Sequence, residues 1–325
     1  MIYQCIQSGE ELSNLVPAFE EAAWQENSPK VLEWVAETSA RQAIEESLQA
    51  ELQRVLDTQK VQEFFKLCEV PGSQVEDYLN KVVKFSDQYH AVLAIRFKSL
   101  NPEDPFVDLI AKDFAFTAEN ISGLLDVTRE AFQLFKPKWL RIQLCGQEEP
   151  FWKDIKRSPD LRTVLGRITE LKQKDKPGKF DEMQLTKCTD ISFYAHYKAD
   201  YDEFNANAGV MADEVYPASE EEFKTLVDFG HTYKATIHGE WAGVIAFSER
   251  IFLGMKTLVV HEELLTRKFR GQGFGAALQR HAIERVDTKI HSLLIGTIHA
   301  NNTPSLGTAT RIGRTDIGGH WFVEL

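Results

Sequence analysis

The chain has 325 residues, 43% of them hydrophobic and 26% charged, which is typical of a globular protein long enough for two domains. Its net charge of −12 argues against a general nucleic-acid-binding protein. No apolar run approaches about 18 residues, the start MIYQCIQSGEEL does not read as a signal peptide, and the four cysteines form no CxxC pair. We therefore expect a cytoplasmic protein with reduced thiols and with no membrane or nucleic-acid partner.

The first half is predicted to be a helix-rich α/β domain over residues 1–170. Good helix formers, with apolar residues at helical spacing, fill residues 29–67. Further elements are predicted as strands at 90–97, 106–112 and 139–145 and as a helix at 117–135. The stretch ELKQKDKPGKFDE at 170–182 is polar and Lys-rich and lacks apolar periodicity, so we expect it to be an interdomain linker.

The second domain, predicted over residues 176–325, shows a more regular order of elements. A helix is expected at 190–204, and a capping box of Ser219 and Glu222 opens the next helix, which should end at Gly230. The remaining elements are predicted as strands at 232–237, 241–247, 256–265 and 292–299, helices at 273–288 and 303–312, and a last strand at 321–325. The order indicates a mixed sheet flanked by helices.

A glycine-rich turn separates the strand at 256–265 from the helix after it. It reads RKFRGQGFG and has Gly271, Gly273 and Gly275 at alternate positions. Helix N-termini present free N–H groups and a partial positive charge, and glycines let a phosphate approach the backbone. The sequence has no Walker A loop, and its GxGxxA string lacks the strand and the acidic residue that a dinucleotide fold requires. We therefore predict a pyrophosphate site, the alternative being a glycine-rich connector without a ligand.

The residues around this turn carry a family resemblance. RGQGFG follows the pattern R-x-x-G-x-G between two strands, and a second pattern, N-x-x-A-x-x-x-Y-x-x-x-G-F, falls after the second strand at Asn302, Ser305, Ala309 and Gly313. In both regions, residues 181–325 resemble the GNAT superfamily of acyl-CoA-dependent N-acyltransferases. Three positions depart from the pattern, because Ser305 stands in place of the alanine, Ala309 in place of the tyrosine and Arg314 in place of the phenylalanine.

The resemblance implies the GNAT fold, a mixed and splayed central sheet with CoA bound where two parallel strands part. It implies that the N–H groups of residues 272–276 hold the diphosphate, and that the N–H of a residue near Leu265 faces the thioester oxygen. The implied cofactor-binding residues for acetyl-CoA or CoA are Leu265, Arg270, Gly271, Gln272, Gly273, Phe274, Gly275, Ala276, Asn302 and Ser305.

The candidate catalytic residues are Glu262, Glu263 and Ser305. In the family, a carboxylate on the strand that enters the turn commonly takes the proton of the attacking amine. Adjacent strand side chains point to opposite faces, so both glutamates reach the cleft only if a bulge intervenes, and the choice between them stays open. Their alternative role is that of a solvated strand edge. In place of the missing tyrosine, either Ser305 or Thr308 is expected to help as a donor through water, unless the thiolate leaves unaided.

The acceptor side is predicted from the helix at 190–204. Its aromatic stripe consists of Phe193, Tyr194, Tyr197, Tyr201 and Phe204, with Asp200, Asp202 and Glu203 among them. These side chains either wall a site for an amine, through cation–π contacts and charge, or belong to the core. No histidine pair has metal-ligand spacing on one helix, so we expect no metal ion.

Together these features predict an acyl-CoA-dependent N-acyltransferase, transferring acetyl to a small amine. The alternatives are an O-acyltransferase or another acyl donor on the same fold, and a catalytically weak CoA-binding sensor or scaffold. The strand–helix–strand order at 106–145 repeats that at 256–299, so the first domain is predicted to be a degenerate GNAT-like repeat. Its joint at 114–117 has no glycine or arginine, which predicts that it has no CoA site. An unrelated α/β domain is the alternative.

Overall fold

A computed structural model describes residues 3–6, 8–86, 88–145, 150–207 and 217–325. The chain forms two compact units: the first consists of Met1–Asp160 with Gly318–Leu325, and the second of Leu161–Ile317. No helix in the described ranges is long and apolar enough to cross a membrane. Cys68 and Cys188 are buried thiols.

The helices and strands alternate in the order of a mixed α/β protein. The helices are α1 (Gly9–Gln25), α2 (Pro29–Leu32), α3 (Glu37–Leu56), α4 (Gln62–Leu67), α5 (Ala118–Ala131), α6 (Ile168–Gln173), α7 (Tyr194–Asn207), α8 (Glu220–Phe229), α9 (Phe274–Glu284) and α10 (Thr303–Arg311). The strands are β1 (Tyr3–Ile6), β2 (Lys81–Phe85), β3 (Tyr89–Phe97), β4 (Pro105–Lys112), β5 (Trp139–Leu144), β6 (Arg157–Arg167), β7 (Met183–Lys187), β8 (Thr232–Ile237), β9 (Glu240–Phe252), β10 (Met255–Leu265), β11 (Leu293–His299) and β12 (Thr315–Glu324).

The first unit contains the sheet β1-β2-β3-β4-β5-β12. Among its described strands, β4 and β5 pair in parallel, and their register covers Val107 with Leu140 and Asp108 with Arg141. β4 is bulged against β3, because the register shifts between Val92 and Leu93. β12 lies antiparallel to β5. This unit therefore has a bulged strand followed by a helix and a briefly paired parallel strand.

The second unit repeats this arrangement in the sheet β6-β11-β10-β9-β8-β7. β10 and β11 are its parallel pair, and their register runs only from Thr257–Leu293 to Val259–Ile295. The rest of β10 continues to Leu265 beside β9, while β11 continues beside β6. The two parallel strands therefore part after Val259, and the N-terminus of α9 follows the free end of β10. This is the splayed mixed sheet that the sequence predicts.

The apolar periodicity of α9 explains how it packs. Phe274, Leu278, Ala282 and Val286 are buried in the core of the second unit, as their spacing of four residues predicts. The predicted capping box is also present, since the Ser219 hydroxyl accepts from the N–H of Glu222 and the N–H of Ser219 donates to the Glu222 carboxylate. The helix that it opens ends at Gly230, which has a φ of 88°.

The compact units differ from the predicted domains in two places. The predicted linker at 170–182 lies inside the second unit, where Arg280 of α9 donates to the backbone carbonyls of Leu171 and Lys172. Its polar composition reflects exposed side chains on a backbone that is held by hydrogen bonds. Residues 318–325 belong to the first unit, because β12 pairs with β5 from Gly319 to Glu324.

Candidate functional site

A β-bulge brings two adjacent glutamates to one cavity. The register of β10 against β9 shifts between Val260 and Glu262, so the alternation of side chains along β10 is interrupted. Glu262 and Glu263 consequently both line a cavity of about 440 Å³ in the second unit. A volume of this size is within the range of small-molecule sites, about 300–1,000 Å³.

Both carboxylate oxygens of Glu262 accept hydrogen bonds. The Tyr197 hydroxyl donates to Oε2 at 2.6 Å, and the N–H of Glu263 donates to Oε1 at 2.9 Å. The Tyr197 oxygen in turn accepts from the N–H of Ala218 at 2.8 Å. Burial raises the pKa of Glu262 above its ordinary value, and the hydrogen bond from Tyr197 offsets part of this effect. These contacts hold the Glu262 carboxylate in one orientation.

The Glu263 carboxyl has one oxygen that is left to accept a proton. Its Oε2 accepts from the Gln279 side chain at 2.5 Å, while its Oε1 accepts no hydrogen bond from a described residue. Burial raises the pKa of Glu263 to about 7, although the nearby positive charge of Arg314 and the Gln279 bond act in the opposite direction. A carboxyl group that titrates near neutral pH is well matched to general-base chemistry.

Arg314 is a buried cation beside this carboxyl. Its side chain is 3% exposed, and its Nε and Nη1 atoms have no hydrogen-bond partner among the described residues. A Cβ atom at Gly296 would lie 2.9 Å from Nη1, so a glycine in β11 leaves room for the guanidinium. Burial lowers the pKa of Arg314 to about 10, and the attraction of Glu263 partly offsets this. The arginine therefore favours the ionised form of Glu263.

The glycine turn opens onto the same cavity. Gly271 and Gly273 line it and have φ values of +72° and +87°, a region that glycine adopts without strain. No side chain caps the N-terminus of α9, so its first N–H groups are available to an anion. A Cβ atom at Gly275 would lie 3.0 Å from the Thr308 hydroxyl oxygen, which shows how closely α9 approaches α10 there.

Two polar side chains fix the backbone around this turn. Arg270 donates through Nε to the carbonyl of Leu265 at 2.6 Å, and its guanidinium lies 5.1 Å from the Phe204 ring centroid. Asn302 caps α10, since its side chain accepts from the N–H of Ser305 at 3.2 Å. The first bond holds the glycine turn against the end of β10, and the second closes the start of α10.

The structure brings most of the predicted site residues together. Those that line the cavity are Glu262, Glu263, Leu265, Arg270, Gly271, Gly273, Gly275, Asn302 and Ser305. Gln272 does not line it, because its side chain is exposed and donates to the Lys268 carbonyl at 2.6 Å. Phe274 and Ala276 are buried in the core. These three residues can therefore face a ligand only through their backbone N–H groups.

Further residues complete the wall of the cavity. Tyr201 and Phe204 belong to the predicted aromatic stripe, and Thr308 is the predicted alternative to Ser305. Leu264, Pro304 and Arg311 also line the cavity and were not assigned to the site from the sequence. The aromatic stripe of α7 has both predicted roles, because Tyr201 packs in the core and also lines the cavity. The stripe itself was the available signal for Tyr201 and Phe204, since it appears in the sequence at helical spacing.

The acidic residues of α7 do not line the cavity. Asp200 accepts from the Trp241 indole at 2.7 Å, Asp202 pairs with Lys198, and Glu203 lies 3.2 Å from Arg267. Each of the three is engaged by a neighbouring side chain, so their place in an acceptor site stays a prediction. In the described ranges, no cluster of three or more His, Cys, Asp or Glu residues is arranged to hold a metal ion.

The first unit has a larger cavity at the corresponding place. It measures about 770 Å³ and is bordered by the end of β4 and the start of α5. Its buried Lys112 pairs with Glu26, and its Asp113 pairs with His90 at 2.6 Å. Its described lining residues include neither a glycine turn nor an adjacent carboxylate pair, and these two features occur together in the smaller cavity of the second unit.

Comparisons with known proteins identify the fold. No protein-family model and no curated protein matches the sequence. A tandem GNAT protein from the clavulanic acid biosynthesis pathway matches 99% of this chain and 98% of its own length, with 14% identity and a TM-score of 0.53. A glucosamine N-acetyltransferase region of a fungal multi-domain β-N-acetylglucosaminidase matches 99% of this chain and 38% of its own, with 9% identity and a TM-score of 0.54. The chain has the GNAT fold, and the match to the tandem protein covers nearly its whole length.

Proposed function

We propose that the second unit is an acyl-CoA-dependent N-acyltransferase that transfers acetyl to a small amine. The observation that carries this proposal is one cavity that joins an uncapped glycine turn to a pair of partly buried carboxylates. The turn suits an anionic diphosphate and the carboxylates suit a proton-releasing amine. The GNAT fold of the chain, which N-acetyltransferases share, supports the assignment.

The residues at the turn fit the diphosphate of CoA. The N–H groups of residues 272–276 would hold it, because φ values above +70° at Gly271 and Gly273 turn the backbone toward the cavity without a side chain in the way. Arg311 lines the cavity and is exposed, so it adds positive charge at this end. Acetyl-CoA, when bound, supplies an activated acyl thioester.

The carboxylates are placed to accept the proton that the amine loses. A free alkylamine has a pKa near ~10 and must be neutral to attack, so a base is required at neutral pH. We assign this role to Glu263, whose Oε1 accepts no hydrogen bond from a described residue, whereas Glu262 is held at both oxygens. Arg314 keeps Glu263 ionised at a lower pH than burial alone would allow.

Binding of CoA is the first test. Calorimetric titration of the full-length protein with acetyl-CoA should give saturable binding, and Gly273→Glu should abolish it by placing a carboxylate among the N–H donors. Gly239→Glu is a matched control, since Gly239 has a φ of +83° in the turn between β8 and β9 and carries the same backbone strain away from the cavity. Equal binding by the Gly273 variant and the control contradicts the assignment of the turn.

The reaction itself is tested by thiol release from acetyl-CoA with a panel of small amines and alcohols. We expect release with amines and a rate that rises with pH as Glu263 ionises near 7. Glu263→Gln should lose about 10²–10⁴-fold in rate and lose this dependence, whereas Glu262→Gln should keep it. Release with alcohols alone would favour an O-acyltransferase, and binding without release would favour a sensor.

A further inference from the structure

The cavity of the first unit has a buried cation at the place where the second unit has its candidate base. In β4, Ile110 is the extra residue of the bulge against β3, and Lys112 follows it by two positions. In β10, His261 is the extra residue of the bulge against β9, and Glu263 follows it by two positions. Each of these two charged side chains lines the cavity of its own unit. The two cavities therefore carry opposite charges at equivalent positions.

The Lys112 ammonium is surrounded by residues of the cavity wall. Lys112 is 5% exposed, its Nζ donates to the Phe114 carbonyl at 2.6 Å, and it lies 4.5 Å from the Phe116 ring centroid. Nζ also forms an ion pair with Glu26. All three of these partners line the same cavity. A buried ammonium is costly unless an anion accompanies it, so this part of the wall favours a carboxylate next to Lys112.

Glu26 supplies that carboxylate from the end of a helix. It is the C-cap residue of α1, and its side chain is 40% exposed. Because this carboxylate is already partly in water, releasing it to solvent costs less than leaving the buried Lys112 without an anion. A ligand carboxylate can therefore replace Glu26, whereas a ligand amine bound to Glu26 would leave Lys112 unpaired. This asymmetry favours a carboxylate ligand over an amine.

The other carboxylates among the described residues of the wall are already engaged. Glu21 pairs with Arg41 at 2.8 Å. Asp113 pairs with the His90 imidazole at 2.6 Å and accepts from the His90 N–H at 2.7 Å. These partners reduce the repulsion that a ligand carboxylate would meet. Lys112 is the only cation among the described residues of the wall, so it is the group to which an anionic ligand can bind.

The rest of the wall suits an apolar group. Its apolar members include three aromatic rings and two alanines of α1, namely Phe114, Phe116, Trp152, Ala18 and Ala22. The cavity volume of about 770 Å³ is within the range of small-molecule sites. The start of α5 at its border is closed by side-chain hydrogen bonds, which makes a diphosphate a poor fit. The cavity therefore combines one charged anchor with an aromatic wall.

We propose that the cavity of the first unit binds a small carboxylate with an apolar body, whose carboxylate replaces that of Glu26 on Lys112. The apolar body lies against the aromatic rings of the wall, and the released Glu26 side chain turns to solvent. Binding is reversible, and no covalent bond is made or broken. This site goes beyond the proposed function, because it does not depend on acyl transfer by the second unit.

The first test compares three probes that share one body and differ in the charge of the head group: 3-phenylpropionate, 3-phenylpropylamine and 3-phenylpropanol. Calorimetric titration of the full-length protein at pH ~7 should show saturable binding of the carboxylate. The amine and the alcohol should bind at least about tenfold more weakly, because neither can accept a charge-assisted hydrogen bond as an anion. Preference for the amine, equal binding of all three probes, or no binding of the carboxylate overturns the proposal.

Two variants test whether the probe binds at Lys112, because they change its affinity in opposite directions. Lys112→Met should weaken binding of 3-phenylpropionate about tenfold or more, since methionine keeps an apolar stem but has no charge. Glu26→Gln should strengthen binding about threefold or more, since it removes the charge that competes for Lys112. Glu10→Gln removes an exposed carboxylate from the first turn of the same helix, away from the cavity wall, and should bind like the parent.

Unchanged binding in a folded Lys112→Met protein overturns the proposal. Unchanged or weaker binding in Glu26→Gln overturns it as well, and this result holds even if the Lys112 variant does not fold. None of these measurements uses CoA or an acyl acceptor, so their failure leaves the proposed function of the second unit unaffected.

Discussion

The hydroxyl of Tyr197 joins the Glu262 carboxylate to the backbone at the start of the next helix. It donates to Oε2 of Glu262 at 2.6 Å and accepts from the N–H of Ala218 at 2.8 Å. Both partners are polar groups with little access to water, so the tyrosine satisfies a charged acceptor and a backbone donor at once. Glu262 is therefore positioned by α7 and not only by its own strand.

Tyr197→Phe should lower the free energy of unfolding by about 1–3 kcal/mol, because it leaves the Ala218 N–H without its acceptor and Glu262 without its donor. The measurement is urea unfolding of the full-length protein. Tyr194→Phe is the matched control, since the Tyr194 hydroxyl makes only a 3.4 Å contact with the Ala218 carbonyl. An equal loss in both variants would show that the two hydrogen bonds of Tyr197 contribute no more to the free energy of unfolding than the weak contact of the Tyr194 hydroxyl.

Glu263 should make stability depend on pH. Its folded pKa of about 7 exceeds the ordinary value of 4.5, so the folded state holds the proton more tightly and the stability contribution of the protonated carboxyl is lost as pH rises toward 7. Glu263→Gln cannot ionise, so its free energy of unfolding should rise relative to that of the parent as pH rises. The rise approaches the order of 3 kcal/mol, because a pKa difference of one corresponds to ~1.4 kcal/mol.

This gain is measured as the difference in unfolding free energy between parent and Glu263→Gln at pH ~5 and ~8. Glu221→Gln removes an exposed carboxylate from α8 and gives the baseline for loss of one charge. If the difference for Glu263→Gln does not grow with pH beyond this baseline, the carboxyl has an ordinary pKa and burial does not penalise its charge.

Two glycines near the cavity should respond oppositely to alanine. In α9, a Cβ atom at Gly275 would lie 3.0 Å from the Thr308 oxygen and 3.6 Å from a Glu263 oxygen, so Gly275→Ala should be destabilising by about 1–3 kcal/mol through overpacking. Gly307 lies in α10 with no atom within 4 Å of its Cβ position. Gly307→Ala should be stabilising by about 0.5–1 kcal/mol through helix propensity. Thermal unfolding of both variants checks the two signs.

The features predicted correctly from the sequence are those determined by neighbours along the chain. The capping box at Ser219 depends on two residues three positions apart, and the buried face of α9 depends on a spacing of four. The missed strands β1, β6 and β7 acquire their structure from partners far away in the chain. The strand β2 was also missed, although it pairs with the neighbouring β3. The assignment of β12 to the first unit follows from its pairing with β5, which no local pattern indicates.

The candidate site shows the same division. The glycine turn and Asn302 were identifiable because their spacing is a local pattern. The presence of both Glu262 and Glu263 at one cavity was not, because it depends on a bulge against β9. The sequence left open whether Tyr201 belongs to the core or to the site. Helical spacing shows which residues share a face of the helix, but not which element covers that face. Arg314 appeared only as a departure from a pattern, and its position beside Glu263 explains why a charge is tolerated there.

The number of CoA molecules that one chain binds depends on whether the first unit can also hold a phosphate. In the first unit, the N-terminus of α5 is closed by its own side chains: the N–H of Thr117 donates to Asn120 at 2.7 Å, and the N–H of Asn120 donates to Thr117 at 3.2 Å. Glu119 also lies in the first turn, where its negative charge already uses the positive end of the helix. A phosphate would have to displace these bonds and approach a carboxylate.

We therefore expect calorimetric titration of the full-length protein with CoA to give a stoichiometry near one, in spite of the larger cavity in the first unit. Gly273→Glu should remove that single binding event, because the site is in the second unit. A stoichiometry near two would contradict the proposal that the first unit is a repeat without a CoA site. A stoichiometry near one that persists in Gly273→Glu would place CoA in the first unit instead. In the described part of the chain, the capped N-terminus of α5 is the other helix start that follows a strand of a parallel pair.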